Sequence, residues 1–291
     1  MSDTPEAEVL VESGCLLGEG PLWIPETGTL YWTDVVAQEL WSWSEKDGVS
    51  MVPTITPVGG LARAFGEWLV VSTLRGFGYL DPETGAIAAI GDPKVSPRKA
   101  LMNDCKCDRM GRLVSGSRHL SEQDPEGRAF VLDKGIARQI EGEFTVWNGP
   151  AFSPAGDRIY FADSPTRRIF TAAYDQEAGE LGKYEVFAET SGDEGYPDGM
   201  TVDADGRLWS ARWNGWSVAC YNSDGTVSHT VDIDAPQVAS ITFGGADMKT
   251  AFVTTAKRGL SGDKFEAAPL SGHVFTFESD VPGLEEPVYK E

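Results

Sequence analysis

A recurrence constrains this chain more than any single motif. A turn rich in Gly, Asp or Pro, followed by a short aromatic and β-branched run, returns roughly every 40 to 50 residues. The runs are Thr29 to Thr33, Trp68 to Ser72, Arg112 to Ser115, Arg158 to Ala162, Arg207 to Ala211 and Thr250 to Thr254. Turns such as Glu26-Thr27-Gly28, Ser153-Pro154-Ala155-Gly156-Asp157 and Asp203-Ala204-Asp205-Gly206 precede them. Further strand and turn pairs, such as Leu40 to Trp43 before Glu45 to Gly48, follow each run, and sustained helical periodicity is hard to find. About six units of about four short strands fit an all-β, six-bladed β-propeller with four-stranded blades. A propeller must close, so strands from both termini are expected to share one blade, with Val9-Leu10-Val11 and His273 to Phe277 as the pair. No low-complexity linker interrupts the array, which predicts one domain over residues 1–291.

Such a fold gathers residues that are remote in sequence. The innermost strand of every blade runs along the central channel and begins at one of its mouths. Glu19 lies in Gly18-Glu19-Gly20-Pro21, Asn148 in Trp147-Asn148-Gly149-Pro150, and Asp198 in Pro197-Asp198-Gly199-Met200. Asn103, in Met102-Asn103-Asp104, occupies a comparable place. Asn-Gly and Asp-Gly are ordinary turn dipeptides and would mean little singly. Their matching positions at the starts of different blades point instead to a shared site, and Glu19 between two glycines has no evident structural duty. Carboxylate and amide oxygens are what hard divalent cations prefer, so Glu19, Asn148, Asp198 and possible fourth ligand Asn103 read as a metal site. Asp104 reads equally as support for that site or as part of a turn.

Charge narrows the partners. With 24 Lys and Arg against 45 Asp and Glu, a formal charge of -21 repels nucleic acid and anionic lipid surfaces. Neither the N-terminal stretch beginning Met1-Ser2-Asp3-Thr4 nor any later segment reads as an export signal or a spanning helix, so a cytoplasmic location is expected. Cys15, Cys105, Cys107 and Cys220 lack zinc-knuckle spacing and read as reduced thiols in a sheet. His119 and Arg118, at the end of an inner-strand segment, are candidate substrate contacts, whereas His229 reads as surface. Trp147, Trp213 and Trp216 lie near enough to the site segments to wall a pocket.

The ordered set of motifs resembles the gluconolactonase, regucalcin and senescence-marker-protein family across almost the whole chain. It comprises Leu17 to Trp23, Asn103 to Asp108 with Gly111-Arg112, Asn148 to Gly156, Tyr160 to Ser164, and Pro197 to Asp203. Phe243-Gly244-Gly245, Thr254 to Leu260 and Pro269 to Phe275 look like bacterial sugar-lactone lactonases in particular. The resemblance implies one divalent metal on Glu19, Asn148 and Asp198, with calcium favoured and zinc, manganese, magnesium or iron also described in the family. It implies hydrolysis of an aldonolactone-type sugar lactone, Asp198 as general base with Glu19 as the other carboxylate able to take a proton, and Asn103 as a substrate contact. Family members carry an arginine two positions before Asn103, where this chain has Leu101, with Arg98 and Lys99 slightly upstream. Some also carry a sugar-binding glutamate near Ser121, where Glu122 is the next residue. These departures concern the substrate more than the reaction. An esterase or organophosphate hydrolase on the same metal site, and a non-enzymatic calcium-binding propeller, are the alternatives.

Overall fold

The computed structural model describes residues 5–94 and 100–291. Arg98, Lys99 and residues 1–4 lie outside the described residues. Six antiparallel sheets form a ring, a six-bladed β-propeller. The inner strands are Gly18–Ile24, Val58–Arg63, Ala100–Cys107, Trp147–Phe152, Tyr196–Val202 and Val238–Gly244. Each touches its neighbours in order, and the first meets the last. The aromatic runs that mark the recurrence are the second strands of the blades, for example Thr29–Asp34 and Arg158–Asp163. Closure is as expected from the sequence: Glu8–Val11 pairs with Val274–Glu278, Val9 standing opposite Phe275. In the fourth blade the third strand, Arg168–Asp175, pairs along one part with the outer strand Glu185–Glu189 and along its end with an additional short strand, Glu180–Leu181. Among the described residues no helix is long and apolar enough to cross a membrane.

Alternation along the strands sends apolar side chains between blades, where adjacent sheets share their cores. Trp23 of the first blade stacks on Phe252 of the last at 5.4 Å between ring centroids, and Trp209 of the fifth meets Phe243 of the sixth at 5.6 Å. Cys105 and Cys107 lie on one face of their strand, buried with Ala62 and Leu113, and all four cysteines are free and buried.

Every inner strand breaks register at the same depth. The shifts fall between Glu19 and Leu22, Val58 and Gly60, Met102 and Cys105, Asn148 and Ala151, Pro197 and Met200, and Val238 and Ser240. A bulge bends a strand and re-aims the side chain beside it, so one backbone device repeats around the channel mouth. The ring is tight there. Gly149 sits at φ +55°, and a Cβ on it would lie 2.6 Å from the Asp198 carbonyl oxygen, so only glycine fits between these two blades.

The opposite mouth is closed by the C-terminal segment. Its backbone bonds to several blades in turn: Ala204 N–H to Pro282 O at 2.9 Å, Gly283 N–H to Met248 O at 2.7 Å, and Lys290 N–H to Gly111 O at 2.8 Å. Between the bulges and this plug the channel narrows to a cavity of about 20 Å³ beside Glu286 and Pro287, room for roughly one water.

Candidate active site

The bulged ends of the inner strands open into a cavity of about 420 Å³ whose wall includes Glu19, Asn103, Asn148 and Asp198. Four residues separated by up to most of the chain are thereby brought together. Arg118 also reaches the wall. Leu101, His119 and Ser121 are not on it. Leu101 pairs across the sheet with Arg118, while His119 Nδ1 and Ser121 Oγ contact each other at 2.8 Å in an exposed loop where Ser121 also donates to Asp124. Trp213 lines the cavity and Trp216 an adjoining groove, but Trp147 is fully buried against Phe161 and walls neither. Its indole belongs to the inter-blade core because the bulge turns the next residue, Asn148, toward the channel.

Two aspartates that the sequence reading did not single out hold the entries to these strands. Asp34 accepts backbone N–H groups of Leu16 at 2.6 Å and Leu17 at 3.2 Å, just ahead of Glu19. Asp163 accepts those of Thr145 at 3.0 Å and Val146 at 2.9 Å, just ahead of Asn148. Both end a second strand, in Tyr31-Trp32-Thr33-Asp34 and Tyr160-Phe161-Ala162-Asp163. That repeated pattern was the available signal. The Asn148 amide is then fixed on both sides. Its Nδ2 donates to Ser164 Oγ at 2.9 Å, which donates to Pro197 O at 2.6 Å, while Asn148 Oδ1 accepts from Asn103 Nδ2. Asn103 Nδ2 also donates to Trp147 O at 3.1 Å. Asp104 binds the third and fourth blades together, accepting Gly149 N–H at 2.9 Å and its neighbour Cys105 N–H at 2.8 Å. It supports the site through backbone and does not line the cavity.

Electrostatically the site is short of positive charge. Burial, then the Asp198 and Asp104 carboxylates, holds the Glu19 carboxyl well above its ordinary range. Burial and then Asp104 do the same to Asp198, and burial pushes Asp104 up to about 6. Among the described residues no Lys, Arg or His forms an ion pair with any of the three. Carboxylates crowded in a low-dielectric wall repel one another, and a divalent cation between them removes that cost. Glu19, Asp198 and the Asn148 amide oxygen make an all-oxygen donor set that fits a hard cation. Among the described residues there is no cluster of three or more His, Cys, Asp or Glu side chains that could hold a metal, and the set at this mouth is two carboxylates with one amide.

Farther out, the basic groups are already paired. Arg118 Nη1 meets Glu122 Oε1 at 2.6 Å and Arg258 Nη2 meets the same oxygen at 3.2 Å, linking a loop of the third blade to one of the sixth over the cavity. Arg258 and Tyr196, both on the wall, were not indicated by the sequence reading. Arg258 stands in a loop whose residues carry no recurring pattern, and Tyr196 opens the inner strand of the fifth blade two residues before Asp198.

Residues 17–257 match the family described as SMP-30/Gluconolactonase/LRE-like region. The chain is 33% identical to the pentonolactonase of Haloferax volcanii, over 97% of this chain and 96% of that one. It is 31% identical to the L-arabinolactonase of Azospirillum brasilense, over 96% and 94% of the two chains. Among solved structures, a calcium-binding regucalcin from Agrobacterium tumefaciens superposes with a TM-score of 0.93 at 27% identity, covering 99% of this chain and 97% of that one.

Proposed function

The chain belongs to the SMP-30/gluconolactonase/LRE-like family, and on that premise we propose that it is a metal-dependent lactonase opening an aldonolactone-type sugar lactone to its hydroxy acid. The observation that carries this is the oxygen-only set of Glu19, Asn148 and Asp198 on one cavity wall, its two carboxylates unpaired among the described residues. The chemistry a bound divalent cation, calcium by preference, supplies at such a site is polarisation of the ester carbonyl and stabilisation of the oxyanion.

The remaining work falls to the chain itself. Water adds to the carbonyl carbon, and the Asp198 carboxylate accepts its proton. As the ring C–O bond breaks, the leaving alkoxide takes the proton that Asp198 accepted and becomes the free hydroxyl of the acid, which regenerates the Asp198 carboxylate. Asn103, braced against Trp147 and Asn148, offers its amide to the lactone. Arg118, steadied by Glu122, presents a guanidinium to the sugar's oxygens from the strand beside that of Asn103. The four free, buried cysteines support a reducing, cytoplasmic setting.

A panel of aldono-1,4- and 1,5-lactones, aryl esters and fluorophosphates, assayed on protein stripped with chelator and then reloaded, tests this directly. Lactone turnover is expected to vanish on stripping, return with calcium, and stay absent in Asp198→Ala and Asn148→Ala with the fold retained. Full lactonase activity in those variants overturns the assignment. Preference for the aryl esters or fluorophosphates moves it to another ester, and metal binding without turnover makes the chain a calcium-binding propeller.

A further inference from the structure

The cavity does not end at the metal candidates. Beyond Trp213, Asn214 and Arg258 it continues into a groove of about 540 Å³, lined there by Trp216, Gln237, Leu260 and Lys264. Two features of this groove are unexplained by folding. Trp216 is 44% exposed and holds a left-handed backbone, φ +54°, in the short loop between Leu208–Trp213 and Ser217–Tyr221. A large side chain in that region of φ is strained, and strain of this kind collects at binding sites. Gln237, only 4% exposed, donates through Nε2 to Asn214 Oδ1 at 2.8 Å, yet its Oε1 is buried without a hydrogen-bond partner. Buried acceptors are normally satisfied, so this one calls for a donor arriving from the groove.

We propose that the groove is a subsite for a second sugar ring, so that the lactone this chain opens carries a glycosyl substituent. The subsite rests on the lactonase reading for its connection to the reacting ring, and on the groove alone for its ligand class. An exposed indole gives an apolar face suited to the C–H face of a pyranose. The Gln237 amide, turned toward the groove that the residue lines, accepts from a ring hydroxyl, and Lys264 with Arg258 donates to others. A free anion is disfavoured there because Glu122 lies on the same wall and already engages Arg258 at 3.2 Å. No nucleophile or base is needed from these residues. They bind, and the chemistry stays at Asp198.

The test is equilibrium binding of lactobionate and maltobionate against gluconate, measured by calorimetry on the calcium-loaded protein and on Trp216→Gly, with hydrolysis of the corresponding 1,5-lactones. Trp216→Gly removes the ring and relieves the left-handed backbone, so it folds at least as well. At least one disaccharide acid is expected to bind the natural chain about tenfold or more tighter than gluconate. Trp216→Gly should abolish that preference and leave gluconate binding unchanged, with the parallel loss in turnover appearing in KM. Lys264→Ala, on an exposed side chain, should weaken the disaccharide acid a few-fold and gluconate not at all. Equal binding of all three acids by the natural chain, or an equal loss for all in Trp216→Gly, overturns the subsite. If no lactone is hydrolysed, the lactonase reading falls, while the binding preference still decides the subsite by its presence or absence.

Discussion

The two ends of the propeller channel solve opposite electrostatic problems with similar residues. At the plugged end charges are matched: Lys106 Nζ meets Glu286 Oε1 at 2.8 Å with both side chains largely buried, and buried Arg63 bonds Glu26, Glu285 and the Glu286 carbonyl. At the open end Glu19 and Asp198 have no such partners among the described residues, and their carboxyls are pushed upward in pKa. The first arrangement contributes to holding the C-terminal segment across the ring. The second gathers carboxyl groups without counter-charges at the mouth where the proposed cation would sit, which costs stability.

Exchange of one residue at each end should separate these roles. Asp198→Asn removes the proposed base and exchanges a charged metal donor for a neutral amide oxygen, and lactone turnover is expected to fall on the order of 10³-fold. In the absence of metal its melting temperature should hold or rise, since one of the mutually repelling carboxylates is gone. Lys106→Met should do the reverse. It strands Glu286 in a mostly buried place and should cost about 3 kcal/mol in urea unfolding, with turnover of the folded fraction nearly unchanged. If Lys106→Met lowers turnover as much as Asp198→Asn does, the two ends are not functionally distinct.

The same contrast explains what could be read from the sequence. The ring of blades was legible because each second strand announces itself with aromatic and β-branched residues behind a turn, and because Val9 to Val11 offered a partner for the last strand. Glu19, Asn148 and Asp198 were legible as neighbours because each stands beside a glycine at the start of an inner strand, where the bulge falls. The bulge alone would not have sufficed, since the second and sixth blades carry it at Gly59 and Ala239 with no donor side chain. What stayed hidden depends on loops and on the chain's last residues. Arg258 reaches the cavity and Glu286 the channel through connections without periodicity, and Trp147 could be placed in the core only once the bulge was seen to turn Asn148 the other way.

A divalent cation should act on one end only. At about 100 times its dissociation constant, a calcium ion that binds the folded state alone stabilises it by about 2.7 kcal/mol. Calcium titrations followed by thermal unfolding should show this increment in the natural chain and in Lys106→Met, and lose most of it in Asp198→Asn. An equal increment in all of them would put the cation somewhere other than the open mouth.

The smallest expected effect concerns how this chain presents an arginine. Its resemblance implies a guanidinium at the position of Leu101, yet Leu101 pairs directly with Arg118 on the adjacent strand, and Arg118 is the one on the cavity wall. Cross-strand partners project from the same face of a sheet, so a charge moved from one to the other stays in the same neighbourhood. Arg118→Lys keeps the charge but loses the planar fork that can engage two oxygens at once, and kcat/KM should fall about tenfold, chiefly through KM. Arg118→Leu should lose more, and adding Leu101→Arg to it should recover part of the loss by returning a guanidinium from the neighbouring strand. Failure of that exchange to recover any activity, with both variants folded and calcium still bound, would mean that Arg118 acts through its link to Glu122 and Arg258 across the mouth and not on the lactone itself.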